Sequence, residues 1–136
     1  MTQSEQFDYE RFKELSDPEL MAYMEPDFID PTISFPLATI RRMLADLDRL
    51  GELQLIYTLE LGATHAPEDF CNEIPRFIAH NSQSVRLAAS RALRHLPDKL
   101  ITKNILVSAQ RYAELTPEDE ARIWTLELGL LADRVK

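Results

Sequence analysis

The chain has little of what most active sites and extracellular scaffolds are built from: one cysteine, three histidines and three glycines in 136 residues. A single cysteine, Cys71, excludes an intrachain disulfide framework. The histidines, His65, His80 and His95, fall fifteen residues apart, so no two share a helix turn. With neither a His-x-x-x-His nor a Cys-x-x-Cys pair, no metal site is expected. Cys71 and a distant histidine could form a nucleophile pair, but Cys71 follows Phe70 on an expected helix, where a buried structural thiol is the commoner role. The scattered glycines, Gly51, Gly62 and Gly129, make no phosphate-cradling loop. The expectation is a protein that is not an enzyme and holds no cofactor.

Long hydrophobic runs are missing too. No apolar stretch approaches the roughly 20 residues that span a bilayer. Met1-Thr-Gln-Ser-Glu-Gln has no basic start followed by an apolar run, so no secretory leader is expected and the natural compartment is the cytoplasm. The low glycine content, beside eight prolines, argues against a turn-dense β protein. At 45% hydrophobic residues, the chain can bury a core as a single domain over residues 1–136.

What is present is helical periodicity punctuated by proline. Pro36, Pro67 and Pro97 lie 31 and 30 residues apart, and each opens a helix-like segment followed by a second. A period near 30 residues predicts stacked helical pairs. The expected fold is all-α, with about seven or eight helices: acidic helices and a connector over 1–35, then three pairs over 36–136.

In detail, a short helix is expected over 4–15, and Ser16-Asp17-Pro18-Glu19 reads as the start of a second that ends by Glu25-Pro26. Segment 36–50 is amphipathic, with Gly51 in place for a left-handed stop. A further helix runs over 52–62, closed by Gly62. Pro67-Glu68-Asp69 opens another, which Pro75 should kink or break. Residues 81–96 give the clearest helix, with Val85, Ala89, Ala92 and Leu96 in line. Segment 98–114 follows, and Thr116-Pro117-Glu118-Asp119-Glu120 reads as a cap, a proline and a charged first helical turn. The last helix, about 117–135, has two apolar lines, Ala121-Trp124-Leu128-Leu131-Val135 and Ile123-Leu126-Leu130. A helix that apolar should be covered on more than one side, by a compact wrap of the bundle or by a second subunit in a homodimer.

Asn81, Val85, Arg86, Ala88, Ala89, Ala92, Leu93 and Leu96 together resemble the second helix of a HEAT-type repeat, in which a polar turn precedes Val-Arg and small residues pack the pair on its neighbours. The likeness covers 81–96; the other pairs match in period and helix order. It implies a HEAT-like array or compact superhelical bundle that binds proteins or nucleic acids along a curved face. It also implies that Arg86 braces adjoining pairs.

Charge is unevenly spread. Residues 1–35 hold nine acids and two bases, a net of −7, whereas residues 76–111 hold seven bases and one acid, a net of +6. Two surfaces follow. Asp8, Glu10, Asp17, Glu19, Asp27 and Asp30, interleaved with Tyr9, Phe12, Tyr23, Met24 and Phe28, suit a basic protein partner; alternatively the aromatics cap the first pair and the acids face water. Arg86, Arg91 and Arg94 fit within about 140° of one helix and, with Lys99 and Lys103, could contact an anion or nucleic acid; alternatively they brace and solvate the fold. Overall acidity, −8, and the lack of interleaved aromatics make nucleic acid the less favoured partner. The small size, acidity and absence of catalytic motifs are similar to bacterial immunity proteins, which implies an inhibitor that occludes a basic toxin such as a nuclease.

Overall fold

A computed structural model describes residues 7–24 and 35–135, and those residues are all-helical, without strands. The α-helices are α1 (Tyr9–Glu14), α2 (Asp17–Tyr23), α3 (Leu37–Asp46), α4 (Glu52–His65), α5 (Pro67–Phe70), α6 (Gln83–His95), α7 (Lys103–Ala113) and α8 (Ala121–Ala132). Three 3-10 segments complete the path: Ile74–Ala79, Asp98–Leu100 and Glu118–Glu120.

Local chemistry sets most boundaries. Asp8, Ser82 and Thr102 stand in extended backbone at the starts of α1, α6 and α7, and their side-chain oxygens accept from Arg11 N, Val85 N and Ile105 N. Each such cap satisfies one of the orphan donors of a first helical turn and contributes about 1 kcal/mol. At α2 the Ser16 N–H and hydroxyl both donate to the Glu19 carboxylate, at 3.0 and 2.9 Å. Pro75 lacks the amide that an α-helix would need, and the helix opened by Pro67 gives way to a turn and the 3-10 segment Ile74–Ala79.

The helices from α4 onward pack around α6 and the Ile74–Ala79 segment. α4 lies against α6, and α6 against both Ile74–Ala79 and α8; Ile74–Ala79 also meets α7, which packs on α8. α6 is therefore central, and its small Ala88, Ala89 and Ala92 let neighbours approach closely. The Ser82 hydroxyl at the start of α6 donates to Glu52 at the start of α4. Between α6 and α8, contacts advance together along both chains, from Arg86–Glu120 through Arg94–Glu127 to Arg134 on the Leu93 and Leu96 carbonyls. These helices run in the same direction. At the other end α1 meets α3 and the turn after α1 meets α4: the Tyr9 hydroxyl donates to Asp46, the Gln54 amide donates to the Leu15 carbonyl, and Phe12 and Leu20 are fully buried.

Both expected glycine stops are corrected. Gly51 is the extended N-cap of α4, with φ −65° and ψ 167°, rather than a left-handed terminus of α3, which ends at Asp46. Gly62 sits inside α4, which runs on to His65. Its role is steric, because the Phe70 ring lies flat on it, in space that a Cβ would occupy. Gly129 in α8 has open space where a Cβ would go. The two helical glycines should therefore answer alanine in opposite senses. Gly129→Ala should stabilise by about 0.5–1 kcal/mol through helix propensity. Gly62→Ala should destabilise by about 1–3 kcal/mol through overpacking against Phe70. Urea unfolding of the two variants measures both signs.

Candidate functional site

The strongest electrostatic feature lies between α6 and α8. Arg86 and Glu120 are both buried and form an ion pair through Arg86 Nε and Nη2. Arg86 Nη1 donates to the carbonyls of His80 and Asn81, at 2.8 and 3.0 Å. Glu120 also accepts from Gln83 Nε2 at 3.2 Å and from the Trp124 indole at 3.0 Å. The bonds from Arg86, then those from Trp124 and Gln83, hold the Glu120 carboxyl down at about 2 against the opposing effect of burial. Glu120 is thus not part of a solvated charged turn, as its neighbourhood in the sequence suggests; it anchors α8.

The same pattern disperses the basic stretch. Arg94 is paired with Glu127 at 2.7 Å, and Arg76 with Asp48 at 2.6 Å. Lys99 approaches Glu68 at 4.0 Å. Burial alone would raise the Glu127 carboxyl, but hydrogen bonds from Arg94 and Ser90 bring it below the ordinary range. Of the five anion-contact candidates, Arg86 is enclosed, Arg94 and Lys99 have carboxylate neighbours, and Arg91 and Lys103 are exposed without an ion pair among the described residues. None of these partners comes from the N-terminal acids.

Those acids are partly committed elsewhere. Asp8 caps α1, Glu10 pairs with Arg42 and Lys13, and Glu19 holds Ser16; Asp17 is exposed. Asp27, Asp30 and Phe28 lie outside the described residues. The candidate anchors Tyr9, Phe12 and Met24 are core residues, and Tyr23 is half-buried with its hydroxyl accepting from Asp8 N. Burial, with the hydrogen bond to Asp46, pushes the Tyr9 phenol well up.

Among the described residues, no group of three or more His, Cys, Asp or Glu is placed to hold a metal ion. The buried Cys71 thiol donates to the Glu68 carbonyl at 3.6 Å, and burial pushes its pKa up, away from thiolate. His65 stacks on Phe35, and His80 Nδ1 accepts from Ser82 N. No described helix is long and apolar enough to cross a membrane.

Two clefts flank α8. The seam toward α6, lined by Ile78, Leu93, Trp124 and Leu131, holds only about 40 Å³. The groove toward α7 is open, about 540 Å³. Its floor is Ala113, Ala121, Trp124 and Leu128, and its rim carries Glu114, Glu118 and Thr116. Glu114 and Glu118 are exposed and make no ion pair among the described residues, and Leu115, at 69% exposure, stands beside the rim. An apolar floor under unpaired carboxylates can accept a side chain that is aliphatic along its stem and cationic at its tip.

Comparison with models of protein families, with curated proteins and with solved structures gives no match to this chain. The groove itself therefore carries the functional argument. Sequence reasoning missed it because Glu114 and Glu118 belong to different helical segments that meet only through the α7–α8 turn. The available signal was Leu115, an apolar residue between acids at a helix end.

Glu120 gives a pH test. Its carboxyl is depressed in the folded protein, so the stability it contributes is present above the unfolded value near 4.5 and is lost as pH falls toward about 2. Urea unfolding should show wild-type stability falling across that window. Glu120→Gln should lose this component of the slope. It should also cost about 3–5 kcal/mol at pH 7, since it leaves Arg86 charged and buried.

Proposed function

We propose that this chain is a non-enzymatic protein-binding module, a HEAT-like stack of helical pairs that occludes or scaffolds a basic protein partner. The observation that carries this reading is the α7–α8 groove, with its apolar floor, its rim of unpaired Glu114 and Glu118, and exposed Leu115 alongside. A basic segment laid there would bury lysine or arginine stems on Ala121 and Leu128 and set its charges against the carboxylates. The net charge of −8 would speed the encounter at long range. Within this class the reading extends to an inhibitor of the immunity type, acting on a basic toxin such as a nuclease in the cytoplasm.

The acidic N-terminal surface supports the same partner chemistry through Asp17 and Glu14, which are exposed and free of ion pairs among the described residues. The basic stretch supports nucleic acid less well, because its positive charge is interrupted by Glu127, Glu68 and Asp48.

The test is affinity capture from nuclease-treated lysate of the source cells, followed by binding kinetics on the captured protein. Three forms are compared: wild type, the groove variant Glu114→Lys with Glu118→Lys, and the N-terminal variant Glu14→Lys with Asp17→Lys. A basic partner held by wild type should associate at least tenfold more slowly with the groove variant and lose salt dependence. Loss confined to the N-terminal variant would move the site to α1–α2. Capture that disappears on nuclease treatment would reject a protein partner and point to Arg91 and Lys103.

A further inference from the structure

The outer side of α8 is the opposite of what a helix face in water should show. Ile123, Leu126 and Leu130 are 36%, 62% and 49% exposed, on a helix whose inner side buries Trp124 and Leu131. At 100° per residue, Arg122, Leu126, Gly129 and Asp133 fall within about 60° of one another, directly opposite Trp124 and Leu131. Ile123 and Leu130 border this strip on one side. Asp133, the C-cap, keeps helical backbone at φ −64° and ψ −19°, so the strip continues through it.

The strip is complementary to itself. Arg122 lies in the first turn of α8 and Asp133 at its end, each the wrong sign for the helix dipole. Both are exposed, and neither has an ion pair among the described residues, although Glu118 and Asp119 precede Arg122 by one turn. Eleven residues separate the two charges, about 16 Å along the axis, so one copy cannot join them. An antiparallel second copy can. A two-fold axis passing between Glu127 and Leu128 sets each Arg122 against the other copy's Asp133. The same axis sets each Leu126 over the other copy's Gly129, where the space for a Cβ is empty. It also brings each Ile123 beside the other copy's Leu130.

We propose that a second copy of this chain docks on the outer face of α8, antiparallel, joined by two Arg122–Asp133 pairs and by Leu126 seated on Gly129. The proposal is independent of the partner groove, which opens on the α7 side of the helix. α8 has 12 residues and is about 18 Å long. One helix contact of that length falls below the roughly 1,200 Å² of a standard interface, so the dimer is of the weak, exchanging kind.

Sedimentation velocity of the full chain from about 1 to 500 µM tests this, with circular dichroism confirming the fold of each variant. Wild type should pass from monomer to dimer across that range, and Leu126→Glu should remain monomeric throughout. Arg122→Asp and Asp133→Arg, which each set like charges together twice per dimer, should weaken association at least tenfold. Combining them restores both pairs with exchanged signs and should bring association back to within about threefold of wild type. A wild type that stays monomeric would overturn the proposal, as would a dimer untouched by Leu126→Glu or a double variant weaker than either single one. Higher oligomers in place of a dimer would also overturn it, since one two-fold contact closes.

Discussion

The Arg86–Glu120 pair is the constraint on which the C-terminal half of the molecule depends. A buried ion pair contributes little net stability unless every donor and acceptor is satisfied, and removing one partner is severe. Here the satisfaction is extensive. Arg86 reaches Glu120 and two carbonyls of the turn before α6, and Glu120 also receives Gln83 and Trp124. The pair therefore fixes register more than it adds stability. It sets α8 against α6 at one end, and Arg134, donating to Asp98 and to carbonyls at the end of α6, sets it at the other. Trp124 then faces inward over the core, and the groove, with Glu114 and Glu118, opens beside it.

This geometry explains the charge asymmetry of the chain. Read linearly, the basic middle stretch looks like a surface for anions. In three dimensions four of its seven bases are met from both flanks: Asp48 and Glu68 precede Arg76 and Lys99, and Glu120 and Glu127 follow Arg86 and Arg94. Each of these ion pairs joins residues 28 to 34 positions apart, and the surplus acid is left toward the ends of the chain.

Local signals were well legible. The helix start at Ser16, the break at Pro75 and the apolar line Val85-Ala89-Ala92-Leu96 follow from spacing and residue type alone, whereas α6 and α7 begin later than the expected 81 and 98, after caps at Ser82 and Thr102. Long-range causes were not. Gly62 reads as a stop because glycine commonly ends helices, yet its reason is Phe70, eight residues on, pressed against it. Glu120 reads as one acid of a helix start because its partner lies 34 residues earlier. The aromatics among the N-terminal acids looked equally suited to anchoring a partner or covering the first pair; the burial of Tyr9 and Phe12 places those two in the core. The apolar excess of α8 was visible at once, but which of its two lines faces inward depended on where Arg86 and Arg134 fasten the helix.

The Arg86–Glu120 pair holds α8 against α6. Hydrogen–deuterium exchange of wild type and Glu120→Gln at pH 7, resolved by helix, tests it most directly. Amides of α8 should lose roughly a hundredfold in protection, with those of α3 and α4 much less changed. Unchanged protection in α8 would contradict it.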